Sequence, residues 1–82
     1  MSAFPKLALP SRHEVLFHQS GLGRECVAVR LLDNEATPYA TYELSGEAPI
    51  GGRWCIRGEY LQTETQAIHS IGYRTGTNLE VT

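Results

Sequence analysis

The segment at residues 26–33, Cys-Val-Ala-Val-Arg-Leu-Leu-Asp, constrains the fold most strongly, because it predicts a strand that is apolar on both faces. Successive side chains of a strand point to opposite faces. The apolar side chains divide into two sets of three, namely Val27, Val29, Leu31 and Cys26, Ala28, Leu32. Only Arg30 breaks the pattern, and its charge needs a partner or a route to water. Such a strand lies inside a sheet or under a helix or partner chain, so we place it at the centre of the fold.

Alternating apolar residues and turn-forming residues predict three further strands around this one. The four strands are expected at residues 12–19, 24–33, 39–44 and 53–62, with a turn at 20–23 and loops at 33–38 and 45–52. In the first strand, alternation places Val15 and Phe17 on one face together with His13 and Gln19. Gly58 lies within the fourth strand and predicts a bulge or a bend.

A short helix is predicted over residues 64–71. Thr63 and Gln66 have the spacing of a capping box, and Gly72 is expected at the C′ position that ends the helix. The alternative is one long strand, because the threonines and isoleucines of this region are β-branched. Beyond it, residues 73–74 and 79–81 are expected as short extended pieces around a turn at 75–78.

The fold class that follows is α+β, a small, mainly antiparallel sheet of four to six short strands with one short helix near residues 64–71. A chain of 82 residues has room for one domain. We divide it into an extended N-terminal arm at residues 1–11 and a single domain at 12–82.

The arm predicts self-association. Pro5 and Pro10 prevent a stable helix, yet Phe4, Leu7 and Leu9 are apolar and need cover. We expect these three residues to form an interface in a symmetric dimer or higher homo-oligomer, because small domains have sheet edges and little core of their own. The alternative is a monomer whose arm folds back on its own sheet.

Composition limits the partners and the compartment. The net charge is −2 and the basic residues are scattered, so no basic face for duplex DNA is visible. The sequence has no apolar run of the length of a signal peptide or a membrane helix, so we expect a cytoplasmic protein with no membrane partner. Cys26 and Cys55 stand among apolar residues and are expected to be buried, reduced thiols.

The sequence predicts no metal site, no cofactor and no catalytic residues. His13 and His18 are five residues apart, which places them on opposite faces of a regular strand, and no ligand pair with zinc spacing is present. His18 and Cys26 could be neighbours in the first hairpin, but burial of Cys26 is favoured over a nucleophile. The paired glycines precede strands, which argues against a phosphate-binding loop.

Aromatic and arginine side chains supply the candidate binding residues. They are Trp54, Arg57, Tyr60, Arg53 and Tyr39. Bases stack on exposed aromatic rings beside positive charge, so this set could read single-stranded nucleic acid. The favoured alternative is that Trp54 and one tyrosine fill the core.

The functional prediction is a non-enzymatic protein-interaction module, accessory or inhibitor-like, which associates with itself or with an unknown protein. The first alternative is single-stranded nucleic-acid binding through the aromatic and arginine residues. The second alternative is a small-ligand-binding protein or a minor enzyme.

Overall fold

The computed structural model describes residues 4–76, which form a four-stranded antiparallel sheet and one helix. The elements are β1 (His13–Gly21), β2 (Arg24–Leu31), β3 (Tyr39–Glu47), β4 (Arg53–Leu61) and α1 (Glu64–Thr75). The strands follow one another in the order β1-β2-β3-β4, so each pairs with its neighbour in the chain. The predicted α+β class is confirmed. The extended piece predicted at residues 79–81 lies outside the described residues.

The prediction that β2 is central is confirmed. Val27 pairs with His18 on one side and with Tyr42 on the other, and Val27 and Val29 are fully buried. Arg30 is exposed at the end of the strand, where its guanidinium reaches water. The apolar residues of β2 therefore contact protein on both faces of the sheet.

The predicted alternation of β1 is wrong because of a bulge at Leu16. Val15 pairs with Val29 whereas Phe17 pairs with Ala28, so the register shifts by one residue between them. Val15 and Phe17 consequently pack into different apolar clusters on opposite faces. The same shift places His13 and His18 on one face, opposite Leu31 and Val27, where a regular strand would have separated them.

Helix α1 begins where the capping box predicts and ends later than expected. The Thr63 hydroxyl accepts from the Gln66 backbone N–H at 3.2 Å, and the Gln66 side chain accepts from the Thr63 N–H at 3.2 Å. Gly72 is an interior helical residue, so its predicted capping role is wrong. Gly76, at φ 65°, is the left-handed cap, and its N–H donates to the Gly72 carbonyl.

Two apolar layers cover the sheet. Under α1, on the face that we call helix-side, the buried residues are Cys26, Ala28, Ala67 and Ile71. On the opposite face, called arm-side, they are Leu7, Val27, Val29, Leu31, Ala40, Tyr42 and Leu44. The two faces are covered by different elements: α1 packs on the helix-side face, and a single stretch of the arm packs on the arm-side face.

The arm folds back on its own sheet at one point. The Ala8 N–H donates to the Arg53 carbonyl at 2.9 Å, and the Arg53 N–H donates to the Lys6 carbonyl at 2.8 Å. This parallel bridge inserts Leu7 into the arm-side cluster, where it is buried. Within residues 4–76, α1 is the one helix, and it is too short and too polar to cross a bilayer.

Candidate functional site

The helix-side face is only partly covered, because one helix is narrower than four strands. Strands lie about 4.8 Å apart and a helix with its side chains is about 10 Å wide, so α1 covers about two strands. Its buried residues pack on β2, and β4 at the edge of the sheet keeps apolar side chains in water. Trp54 is 47% exposed and Ile56 is 39% exposed. The uncovered part of this face is therefore apolar.

Trp54 and Ile56 lie on the helix-side face by strand alternation. Cys55 packs against the arm-side cluster, so its two neighbours in the chain point the other way. On the helix, Tyr73 is 87% exposed and lines the groove between α1 and β4. We call Trp54, Ile56 and Tyr73 the β4 surface.

The groove between α1 and β4 has a volume of about 680 Å³ and a polar floor. The buried Thr41 hydroxyl bonds the Ser70 hydroxyl at 2.9 Å, and Ser70 donates to the Glu59 carboxylate at 2.6 Å. Among residues 4–76, no buried side-chain nitrogen or oxygen lacks a hydrogen-bond partner. The floor is thus satisfied internally, and it holds α1 against β4.

The wall of the groove contains a residue in an unusual backbone conformation. Arg57 has φ 54°, the left-handed region that non-glycine residues rarely adopt, at a cost of about 1–3 kcal/mol. Two contacts offset that cost. The Arg74 guanidinium donates to the Arg57 carbonyl at 2.6 Å, and the Arg57 guanidinium donates to Glu43 at 3.1 Å.

This conformation belongs to a bulge in β4, which the interior Gly58 predicted. Glu43 pairs with Ile56 and Thr41 pairs with Glu59, so between these pairs one residue of β3 lies opposite two of β4. A side chain at Gly58 would lie 2.7 Å from the Tyr42 ring. The absence of that side chain lets the Tyr42 ring lie against the backbone of β4.

The five residues predicted to bind nucleic acid do not form one surface. Trp54 is on the helix-side face, whereas Tyr60 contacts Tyr42 on the arm-side face, with ring centroids 6.4 Å apart. Tyr39 is half-buried and packs with the helix-side cluster. The alternative prediction, that Trp54 is a core residue, is wrong, because half of the side chain is in water; Tyr42 is the buried aromatic residue.

The two arginines of that set are engaged in ion pairs. Arg57 pairs with Glu43, and the Arg53 guanidinium contacts Glu25 at 2.8 Å. Glu25 also bonds His18 Nε2 at 2.7 Å. Partial burial raises the pKa of Glu25, but the hydrogen bonds and charges of Arg53 and His18 outweigh it and hold that pKa below its usual 4.5. Arg53, His18 and Glu25 thus tie together three strands on the arm-side face.

The three predicted interface residues of the arm have different surroundings. Leu7 is buried and Leu9 packs partly against the same arm-side cluster, so both contact their own chain. Phe4 is 46% exposed. Beside the arm, a groove of about 400 Å³ extends from Leu7 to Trp54 and includes Ile50, which is exposed.

Both cysteines are free thiols surrounded by apolar side chains. Cys26 is fully buried and Cys55 is half-buried, and burial raises the pKa of each thiol above its usual 9.0. His18 lies on the arm-side face with Val27, whereas Cys26 faces α1. The two side chains are therefore not arranged as a nucleophile and its base.

A second concave site, which sequence reasoning missed, lies on the arm-side face near the β2–β3 loop. Its volume is about 410 Å³, and it is lined by Ser11, Leu31, Asp33, Asn34, Thr37, Tyr42 and Tyr60. The polar residues at 33–37 read as an ordinary loop, and Ser11 is far from them in sequence. The Asn-x-x-Thr spacing of Asn34 and Thr37, whose N–H donates to Asn34 Oδ1 at 3.1 Å, was the available signal for an ordered loop.

The chain matches no protein-family model, and searches of curated proteins and of solved structures gave no match. The functional argument therefore rests on the geometry of these two regions.

Proposed function

We propose that the protein is a non-enzymatic interaction module that forms a symmetric homodimer through the β4 surface. The observation that supports it most is the exposure of Trp54 and Ile56 on the part of the helix-side face that α1 leaves uncovered. Large apolar side chains grouped at an uncovered part of a sheet are characteristic of interaction sites. Trp and Tyr are also the residues most enriched among those that dominate binding energy at interfaces.

The contact is made by side chains on the face rather than by strand addition at the edge. The arm bonds both backbone groups of Arg53, and Arg74 bonds the carbonyl of Arg57. These contacts, with the bulge, leave only a short stretch of β4 able to pair with another strand. A partner therefore approaches over the face of β4, beside α1.

A second copy fits this surface because charges of both signs border it. Arg57 and Glu59 stand two residues apart on β4, next to the uncharged β4 surface. A two-fold axis brings the same patch of each subunit together, so Arg57 of one copy meets Glu59 of the other. Each group has hydrogen-bonding capacity beyond its present partner, since a guanidinium has five N–H donors and a carboxylate about four acceptor sites.

Single-stranded nucleic-acid binding has less support. Stacking requires aromatic rings on one surface beside unpaired positive charge. Trp54 and Tyr60 lie on opposite faces, and both Arg53 and Arg57 contact carboxylates.

Trp54 supplies the test, because it is the one tryptophan of the chain. Sedimentation and light scattering over a concentration series give the mass, and Trp54 emission over the same series reports burial of the proposed interface. We expect a dimer whose dissociation on dilution moves the emission to longer wavelength. Trp54→Ser and Ile56→Ser should each weaken the dimer at least tenfold.

Leu32→Ser is the matched control, since Leu32 is 46% exposed, nearly the same as Trp54 at 47%, and lies in the β2–β3 loop. It should dimerise as the wild type does. The proposal fails if the wild type is a monomer at high micromolar concentration. It also fails if the dimer persists in the Trp54 and Ile56 variants. Loss of the dimer in Phe4→Ser alone, at the exposed residue of the arm, would place the interface on the arm.

A further inference from the structure

We propose that the arm-side cavity between the β2–β3 loop and β4 binds a small, neutral, polyhydroxylated molecule, of the class of monosaccharides and cyclic polyols. This site is separate from the β4 surface and does not depend on dimerisation. Its volume of about 410 Å³ falls in the range of about 300–1,000 Å³ of small-molecule sites.

The first argument is a pair of tyrosine hydroxyls joined only by a long hydrogen bond. Tyr42 is only 7% exposed, and its hydroxyl donates to the Tyr60 hydroxyl at 3.5 Å. A normal O–H···O bond is about 2.7–2.8 Å long, so this contact is weak. Both tyrosines line the cavity, so a ligand oxygen there can give the two hydroxyls shorter bonds than the one between them. Burial, followed by the bond to Tyr60, raises the pKa of Tyr42, so its hydroxyl stays a donor at neutral pH.

The second argument is the set of polar groups that the β2–β3 loop contributes to the lining. Asp33 contacts Arg12 through Oδ1 at 3.3 Å, and its other carboxylate oxygen has no hydrogen-bond partner among residues 4–76. Asn34 uses its Oδ1 to accept from Thr37, which leaves the amide NH₂ as a donor. Both side chains line the cavity, so a carboxylate oxygen and an amide NH₂ are available there to bond hydroxyls of one molecule, as acceptor and donor respectively.

The third argument is the shape and charge of the remaining wall. Tyr60 is 57% exposed and offers a flat, apolar ring face, and Leu31 is apolar. A sugar or cyclitol matches this lining, because its C–H face can lie on the apolar surface and the hydroxyls at its rim can bond the polar groups. Asp33 is already paired with Arg12, so a charged ligand would leave a charge unmatched. In the part of the chain that the structure describes, the lining contains no basic residue that could take a phosphate.

Titrations monitored by amide chemical shifts in ¹H–¹⁵N spectra test the proposal. The probes are glucose, galactose and myo-inositol, with choline as the cation and inorganic phosphate as the anion. At about 10 mM, a site with a Kd of 1 mM is about 90% occupied. We expect saturable shifts at residues 31–37 and 60 with at least one of the three neutral probes, and no saturable shift with choline or phosphate.

Three variants test whether the probes bind in the cavity or nonspecifically on the protein surface. Tyr60→Ala and Asp33→Asn should weaken binding at least tenfold, and Tyr42→Phe, which keeps the buried ring, should weaken it about threefold. Glu14→Gln makes the matched acid-to-amide change on β1 and should leave binding unchanged. The proposal is overturned if none of the neutral probes saturates, if choline or phosphate binds as well as they do, or if the shifts persist in Tyr60→Ala and Asp33→Asn. These outcomes are independent of the dimer, which is measured on the same samples by light scattering.

Discussion

Ile71→Ala should remove most of what holds α1 on the sheet. In the helix-side cluster, Ile71 is the one large residue that is fully buried; the others are Cys26, Ala28 and Ala67. Truncating a buried isoleucine to alanine costs about 2–5 kcal/mol, depending on how far the site can collapse. The other fully buried side chains of the cluster are small, and only the partly buried Phe17, Tyr39 and Leu61 can close the space, so we expect a loss near the middle of that range, about 3–4 kcal/mol.

The loss is large for a chain of this size. At about 0.05–0.15 kcal/mol per residue, 82 residues give a free energy of unfolding of about 4–12 kcal/mol. In a domain of 60–100 residues, 1 kcal/mol shifts Tm by about 4–8 °C, so the variant should melt about 12–32 °C lower. Urea denaturation, followed both by far-ultraviolet circular dichroism and by Trp54 fluorescence, measures the change. The two probes should give coincident transitions, because α1 and the sheet share one core.

Ile68→Ala is the control, since Ile68 lies on the same helix, has the same side chain and is only half-buried. It should cost about 1 kcal/mol. Equal losses for the two variants would refute the assignment of Ile71 as the anchor. A circular-dichroism transition that precedes the fluorescence transition would show that α1 unfolds separately from the sheet.

Three further outcomes are expected. Thr63→Ala should cost about 1 kcal/mol by thermal denaturation, because it removes a capping box, whereas Thr65→Ala should cost less, and equal losses would contradict the capping role. The pKa of Glu25 is lowered in the folded protein, so the Glu25 carboxylate stabilises the fold above pH 4.5 and this stabilisation is lost as the pH falls through the folded pKa. The difference in unfolding free energy between wild type and Glu25→Gln should therefore shrink on acidification. A difference that stays constant with pH would exclude this linkage. Cys26 should react with Ellman's reagent only when the protein unfolds, since burial protects the thiol and raises its pKa; prompt labelling of the native protein would argue against this packing.

Strong local patterns made most of the fold predictable. The apolar run of β2, the glycines of the first turn and the Thr63–Gln66 capping box each placed an element correctly, because each depends on neighbouring residues. The bulge at Leu16 was not predictable, since Val15, Leu16 and Phe17 are all apolar. Without a polar residue among them, the sequence does not show which of these side chains share a face of the strand. The end of α1 was misplaced because Gly72 suits a cap, while tertiary contacts of Arg74 and the buried Thr75 extend the helix.

The sites were less predictable than the fold. Trp54 and Tyr60 are six residues apart, and the bulge at Gly58 places them on opposite faces. The exposure of Trp54 depends on the width of α1 relative to the sheet, which no single residue encodes. The cavity at Tyr42 combines an arm residue, a loop and two strands, so only the tertiary structure brings its polar groups together.

The order of the strands also affects how the protein folds while it is being synthesised. Each strand pairs with the one before it, so the sheet can assemble progressively as the chain leaves the ribosome. The cover over Cys26 and Ala28 comes only with Ala67 and Ile71, in the last element. After Leu31 the ribosome must add the 44 residues at 32–75 to complete α1, which takes about 2–9 s at 5–20 residues per second. Until α1 is made, Cys26 and Ala28 lack that cover, and we expect this face of β2 to be open to chaperones and to other nascent chains.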